Sequence, residues 1–503
     1  MFSISAILNR VYSLNEDDME RSVYFGNFFH SLSFEQSDSI LDGFIAVEGG
    51  KIIAVGTGSE YEHWEHSNKS DFEVLRLTDT QFLLPGFIDT HIHAPQVPNI
   101  GLGLDKPLID WLNSYTFPME TEYKDVTFAK HVYEKVVVSS IKTRNNDHNL
   151  CTVRSNLQKR TLTVGTTTAC YFGTIHKEGC KILADQAVEK GQRAFIGKVA
   201  MNQYSPDTYK ETLDESIRDN IELIQYVIGL KSDLVVPIIT PRFAITCSME
   251  LMKELAKLAE KYNLNIQSHI SENIDEVKFT LELFPGFKFY AEVYEAAGLL
   301  TNRTIMAHSV HLYDEEVKLF AKRGTSVSHC PNSNTNLKSG MCDVKRLIAN
   351  KLKVGLGTDI SGGNMISILD VMRAALDVSQ HLNFMKKQNV VGTGRITTND
   401  DENLKYVPLD YKQALFLATL GGAQALSLDQ KIGNFAVGKE FDALLVDTYV
   451  GRTDKFELPK ALTASLSDYD KFQQLIQKFV YTGDDRNIVK VFVKGRQVKD
   501  TNK

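Results

Sequence analysis

Pro85-Gly86-Phe87-Ile88-Asp89-Thr90-His91-Ile92-His93 is a short apolar run that closes on two histidines one residue apart. The stretch Gly86–Ile92 reads as a β-strand, in which successive side chains alternate faces. His91 and His93 therefore project side by side, a geometry that can grip one metal ion. Taken alone, an H-x-H pair is a weak signal and reads more readily as two structural histidines. The segments downstream of it decide between these readings.

Seven further β-like runs follow: Thr166–Phe172, Arg193–Met201, Val235–Arg242, Asn265–His269, Thr304–His308, Thr325–His329 and Lys353–Asp359. Amphipathic helical stretches separate them, the clearest being Asp207–Ile228 and Ser248–Tyr262, where apolar residues recur at three- and four-residue steps. Strands alternating with helices, eight in all, predict a closed parallel barrel of the (β/α)8 TIM type, an α/β fold. Such barrels carry their active sites at the C-terminal ends of the strands. His91, His93, Arg242, His269, His308 and Asp359 all fall at such ends.

Outside the barrel, Ser22–Phe29, Gly43–Val47 and Lys51–Val55 alternate with turn signals, and the same texture returns at Asp442–Val446 and Val489–Val493. A small β-sandwich built from both termini is expected. The implied division is 1–84 and 429–503 for the small β unit and 85–428 for the barrel. Thr143–Leu157 is polar and without period, and reads as a surface loop.

Composition narrows the class. The 503 residues are 43% hydrophobic and 24% charged, ordinary for a globular protein, with a net charge of −7. That balance argues against nucleic acid or an anionic membrane as partner, and leaves a small uncharged substrate. Six scattered cysteines form no C-x-x-C pair, which favours a reducing compartment. The first residues show no leader pattern, and no apolar run approaches the ~18–20 residues of a spanning helix. The expectation is a cytosolic protein.

Each strand-end histidine is individually ambiguous, but the ordered set points to a metal-dependent hydrolase. His91, His93 and His269 offer neutral nitrogens, Asp359 offers an oxygen, and one position remains for water. Asp359 can also orient that water or take its proton. His308 is either a ligand or, the preferred reading, a donor beside the ligands that stabilises the nucleophile. Glu272 lies three residues after His269 and is the candidate proton carrier. Its bland alternative is the N-terminal acid of the helix beginning near Asn273. His329-Cys330-Pro331-Asn332-Ser333-Asn334 is explained largely by local turn chemistry. The remaining histidines, His30 among them, have no partners at ligand spacing and read as structural or solvated.

These motifs resemble the amidohydrolase superfamily, through Pro85–His93 and Gly165-Thr166-Thr167-Thr168. A closer likeness is to the eukaryotic-type guanine deaminase family. It rests on Asp110-Trp111-Leu112, Tyr115-Thr116-Phe117-Pro118, Gly191-Gln192-Arg193-Ala194-Phe195, Thr240-Pro241-Arg242-Phe243, Ser268–Asn273, His329–Asn334 and Gly355–Asp359. The resemblance implies a distorted barrel with a side β-sandwich, usually a homodimer, that turns guanine and water into xanthine and ammonia with one zinc ion. It implies zinc ligands at His91, His93, His269 and Asp359. Substrate contacts are implied along His93-Ala94-Pro95-Gln96, at Arg242 and Phe243, and along His269-Ile270-Ser271-Glu272, with Asp359 beside them. Arg242 and the Gln96 amide are suited to donate to the guanine 6-oxygen, and Phe243 to stack on the ring. Trp111, Tyr115 and Phe117 are candidates for an apolar lid. Pro95 departs from the small polar residue common before the glutamine. The rival readings are another amidohydrolase acting on an adenosine thioether, a pterin, cytosine or a chlorotriazine, and a non-catalytic scaffold of the same fold.

Overall fold

The computed structural model describes residues 21–68, 72–137, 161–388, 406–450 and 464–500. Eight parallel barrel positions follow one another, each strand paired with its sequence neighbours. They are Phe87–His93, Thr166–Phe172, Arg193–Gly197 with Val199–Ala200, Val235–Pro237 with Thr240–Pro241, Ile266–Ile270, Thr304–His308, Ser326–His329 and Val354–Leu356. The first four positions form one ladder and the last four another. The ladders join through a parallel bridge between Ile239 and Ile266. On the other side Asp359 N donates to the His91 carbonyl at 2.9 Å, and Thr90 Oγ1 donates to the Leu356 carbonyl at 2.8 Å. The ring is therefore closed, as expected from the sequence.

Two of the expected strands are broken. Arg193–Met201 divides at Lys198, whose ammonium is fully buried and paired with Glu211 at 2.6 Å. Val235–Arg242 divides after Pro237, although Ile238 N still donates to the Ile196 carbonyl at 3.1 Å. The separated ends pair again, Thr240 with Val199 and Pro241 with Ala200. The helix expected from Asp207 starts later, at Leu213. Thr212 caps it by accepting from Glu215 N, and the Glu215 side chain reaches back to Thr212 N. The helix Met249–Tyr262 begins at its Ser248 cap as read. Thr143–Leu157 lies outside the described residues.

The small unit is one hydrogen-bonded sheet of eight strands, with Arg21–Ser31, Ser37–Glu48, Lys51–Gly56, Glu73–Arg76 and Gln81–Pro85 from one end of the chain and Ala443–Asp447, Ile488–Val493 and Arg496–Asp500 from the other. It curls on itself, because Tyr24 meets Phe441 and Phe492 with ring centroids 4.7 and 5.3 Å apart although two strands lie between their ladders. Gly49 and Gly50 both take positive φ, 56° and 77°, and close the hairpin between Glu48 and Lys51. A Cβ on Gly50 would stand 2.3 Å from the Lys494 carbonyl, so only glycine lets this turn rest on the Lys494-Gly495 turn. Sheet and barrel are joined by a buried cluster. Arg193 donates to Glu440 at 2.6 Å and to Asp442 at 3.0 and 3.1 Å. No helix among the described residues is long and apolar enough to cross a membrane.

Candidate active site

The first barrel strand delivers His91 and His93 to the rim, and a polar staple beneath holds them there. Asp89 Oδ1 accepts from His91 N at 3.2 Å and from Thr358 N at 3.1 Å, while Thr358 Oγ1 donates to Asp89 Oδ2 at 2.5 Å. Burial pushes the Asp89 carboxyl up to about 7, against the pull of those hydrogen bonds. Strands one and eight are thereby locked together just under the site. Asp359, at φ 47°, and His308, at φ 71°, leave their strands in the left-handed region, a strain typical of functional rims.

Four imidazoles converge on Asp359. His91 Nε2 and His93 Nε2 lie 3.1 and 3.4 Å from Asp359 Oδ1, and His93 Nε2 lies 3.1 Å from His269 Nε2. Donor atoms of His91, His269, His308 and Asp359 all lie within 4.8 Å of one another, and can hold a metal ion. Tetrahedral ligands at bond lengths of ~2.0–2.2 Å stand about 3.3–3.6 Å apart, so the spacings fit one ion. The donor states fit as well. His269 Nδ1 donates to the Arg242 carbonyl at 2.6 Å, which leaves its Nε2 a bare lone pair. His91 Nε2 and His308 Nε2 are buried without a hydrogen-bond partner. Burial holds His91, His93 and His269 below the ordinary imidazole range, which keeps them neutral. Lone pairs crowded around a carboxylate need a cation between them. Phe172 supports the group from below, its ring 4.7–4.8 Å from those of His91, His93 and His269.

Glu272 and His308 face each other across the cavity beside the histidine cluster. Glu272 Oε2 lies 3.4 Å from His308 Nε2, and Ser339 Oγ donates to Glu272 Oε1 at 3.1 Å. His308 Nδ1 is turned to Asn334 Oδ1 at 2.8 Å, which aims Nε2 at the carboxylates. Burial opposes a charge on His308, but Glu272 and Asp359 outweigh it and raise its pKa. The helix-capping role weighed for Glu272 belongs instead to Glu276, which accepts from Glu272 N and Asn273 N at 2.7 and 3.2 Å. Glu272 is left free to face the cavity.

That cavity is lined by His93, Gln96, Arg242, Phe243, His269, Glu272, His308 and Asp359, with Leu108, Trp111, Leu112 and Leu337 as an apolar wall. Ala94, Pro95, Ile270 and Ser271, named with the substrate contacts, are buried but do not line it. Pro95 has another use: its carbonyl accepts from Tyr123 OH at 2.7 Å and anchors the turn that presents Gln96. Of the lid candidates, Trp111 lines the cavity, while Phe117 lies under the Arg242 guanidinium at 5.1 Å. Tyr115 packs against Gly103.

Two residues with clear positions here escaped the sequence reading. Asn334 was assigned to turn chemistry, yet it orients His308. Glu120, two residues beyond the Tyr115–Pro118 motif, is fully buried, and its carboxylate receives Arg242 Nη1 at 2.6 Å and Gln96 Nε2 at 2.7 Å. Nothing local marks it.

A barrel with this rim defines a metal-site hydrolase scaffold, and the chain belongs to the amidohydrolase family, whose model matches residues 82–498. Within that family it is similar to guanine deaminases. It is 43% identical to that of Dictyostelium discoideum over 419 residues, 83% of either chain, and 40% identical to that of Rattus norvegicus, covering 95% of this chain and 96% of the other. A crystal structure of guanine deaminase from C. acetobutylicum with guanine bound in the active site superposes with a TM-score of 0.77 at 33% identity, over 95% of this chain and all of that one.

Proposed function

We propose that the protein is a zinc-dependent guanine aminohydrolase, converting guanine and water to xanthine and ammonia. The observation that carries this reading is one cavity lined both by members of the histidine–Asp359 cluster and by the paired donors Arg242 and Gln96. The relatives' names support it. His91, His93, His269 and Asp359 would hold the ion, three neutral nitrogens and one carboxylate being a donor set suited to zinc. Such an ion, when bound, supplies a water whose pKa falls from ~15.7 toward ~7.

The chain's own groups account for the remainder. Arg242 and Gln96 donate to the 6-oxygen, and Phe243 with the Trp111 wall excludes water from the ring faces. An amino group at the same position would meet donors with a donor, a mismatch that rejects an analogue by ~10⁴–10⁵. Glu272 takes a proton from the attacking water, passes it to the ring nitrogen beside C2, then carries the second water proton to the departing amine. The C2–O bond forms, the C2–N bond breaks, and the nitrogen leaves as ammonia. His308 Nε2 stabilises the charge that builds up beside Glu272 and Asp359.

The division into a terminal β unit, 1–84 with 429–503, and a barrel, 85–428, is part of the same proposal, supported by the sheet that pairs Gln81–Pro85 with Ala443–Asp447.

Purified protein is incubated with guanine, adenine, cytosine, a pterin and a chlorotriazine, and ammonia release and bound metal are measured before and after chelation. Guanine turnover that vanishes with the metal is expected. A metal-replete protein inert toward guanine would end the proposal.

A further inference from the structure

We infer that Glu120 is a positioning residue whose carboxylate sets the Arg242 and Gln96 donors in the one orientation that selects a 6-oxo purine. The inference rests on the guanine reading above and adds a residue to it.

Glu120 has no exposed surface and does not line the cavity. Both oxygens are nonetheless committed to groups that serve it. Oε2 accepts from Arg242 Nη1 and from Tyr209 OH, each at 2.6 Å. Oε1 accepts from Gln96 Nε2 at 2.7 Å and from Arg242 Nη2 at 3.3 Å. The two-point contact holds the guanidinium plane, as paired Arg–carboxylate bonds do. Phe117, on the same short helix Phe117–Thr121, lies 5.1 Å below that plane. One element therefore fixes both the edge and the face of Arg242.

The effect on Gln96 is more specific. Its Oε1 accepts from Ser361 N at 3.1 Å while its Nε2 donates to Glu120. A flipped amide would set donor against donor at Ser361 and oxygen against carboxylate at Glu120. The carboxylate thus dictates which end of the amide is the donor. Arg242 Nη2 and Gln96 Nε2 each keep one further N–H beyond those Glu120 takes, while Arg242 Nη1 also faces Met201 Sδ at 3.9 Å. Those spare donors match an acceptor oxygen and mismatch an amino group. Glu120 also offsets the Arg242 charge in a cavity whose opposite wall is built for a cation, so recognition is left to hydrogen bonds.

A carboxylate needed only for stability would have no bearing on selectivity. The test separates these roles through two competitive probes: hypoxanthine, which carries the 6-oxygen, and purine, which does not. Their inhibition constants against guanine turnover are measured for the wild type, for the isosteric Glu120→Gln, and for Glu120→Asp, which keeps the charge but withdraws it by one methylene. Bound metal and melting temperature are recorded for each. The inference expects the preference for hypoxanthine over purine to fall at least ~10-fold in Glu120→Gln and by a smaller factor in Glu120→Asp. Purine inhibition and metal content should change little, and the loss for guanine should appear mainly in KM. A folded, metal-replete variant that keeps the wild-type preference overturns the inference while leaving guanine turnover by the wild type intact. Loss of fold or metal in both variants also overturns it, assigning Glu120 to the scaffold. A wild type inert toward guanine instead defeats the functional reading itself.

Discussion

His308 Nε2 stands 3.4 Å from Glu272 Oε2, with both side chains withdrawn from solvent. Burial raises the Glu272 carboxyl to about 7, with His308 pulling down and Asp359 pushing up. A carboxyl must be ionised to accept a proton, so kcat/KM is expected to fall as pH drops through that region. Glu272→Gln should lower the chemical step by ~10²–10⁴ and remove this acid limb, with guanine affinity little changed. Single-turnover rates across the pH range check it. A variant as fast as the wild type would exclude Glu272 from proton transfer.

Asp89 does not line the active-site cavity, yet it ties the His91 backbone to Thr358, the neighbour of Asp359. Partners that orient ligands typically influence metal affinity by ~10–100-fold. Asp89→Asn loses part of that acceptor set and should weaken metal retention by a similar factor. Competition with a chelator indicator measures it, and unaltered retention would show that the staple does not orient the ligands.

Arg193 joins the third barrel strand to Glu440 and Asp442 in a cluster closed to solvent. Removing one side of a buried pair leaves the other charge stranded, at a cost of ~3–5 kcal/mol. Arg193→Met should lose about that much stability in urea unfolding, somewhat less if Lys431, 3.3 Å from Glu440, takes over part of the role. A loss below about 1 kcal/mol would mean the carboxylates are not held in place by Arg193.

His30, in the first strand of the small sheet, is buried, and its Nδ1 accepts from Phe435 N at 3.0 Å. Burial lowers its pKa to about 4, with Asp38 opposing and Lys439 assisting. The unfolded chain binds this proton below about 6.5 and the folded chain only near 4, so the folded state loses stability as pH falls across that window. The full interval is worth about 3 kcal/mol. His30→Asn keeps an acceptor for Phe435 N, and should flatten the decline of urea midpoints between those pH values. An identical slope in the variant would assign the dependence to other groups.

Much of the barrel was legible because it is written in local periodicity. Alternation within Phe87–His93 is enough to set His91 and His93 on one face, and the rim positions of His269, one residue before its strand ends, His308, the last of its strand, and Asp359, three residues past its own, follow from the apolar runs before them.

By contrast, Glu120 lies 122 residues from Arg242, and Asn334 lies 26 from His308, so no window of neighbouring residues contains either pair. The Glu276 cap that frees Glu272 for the cavity, and the buried Lys198 that breaks strand three, are likewise settled only when distant elements pack. Strand order and the placing of the rim histidines come from backbone sterics acting over a few residues, and the chain carries them wherever it is read. Which carboxylate meets which cation depends on desolvation, and that exists only once the barrel has closed and water has left.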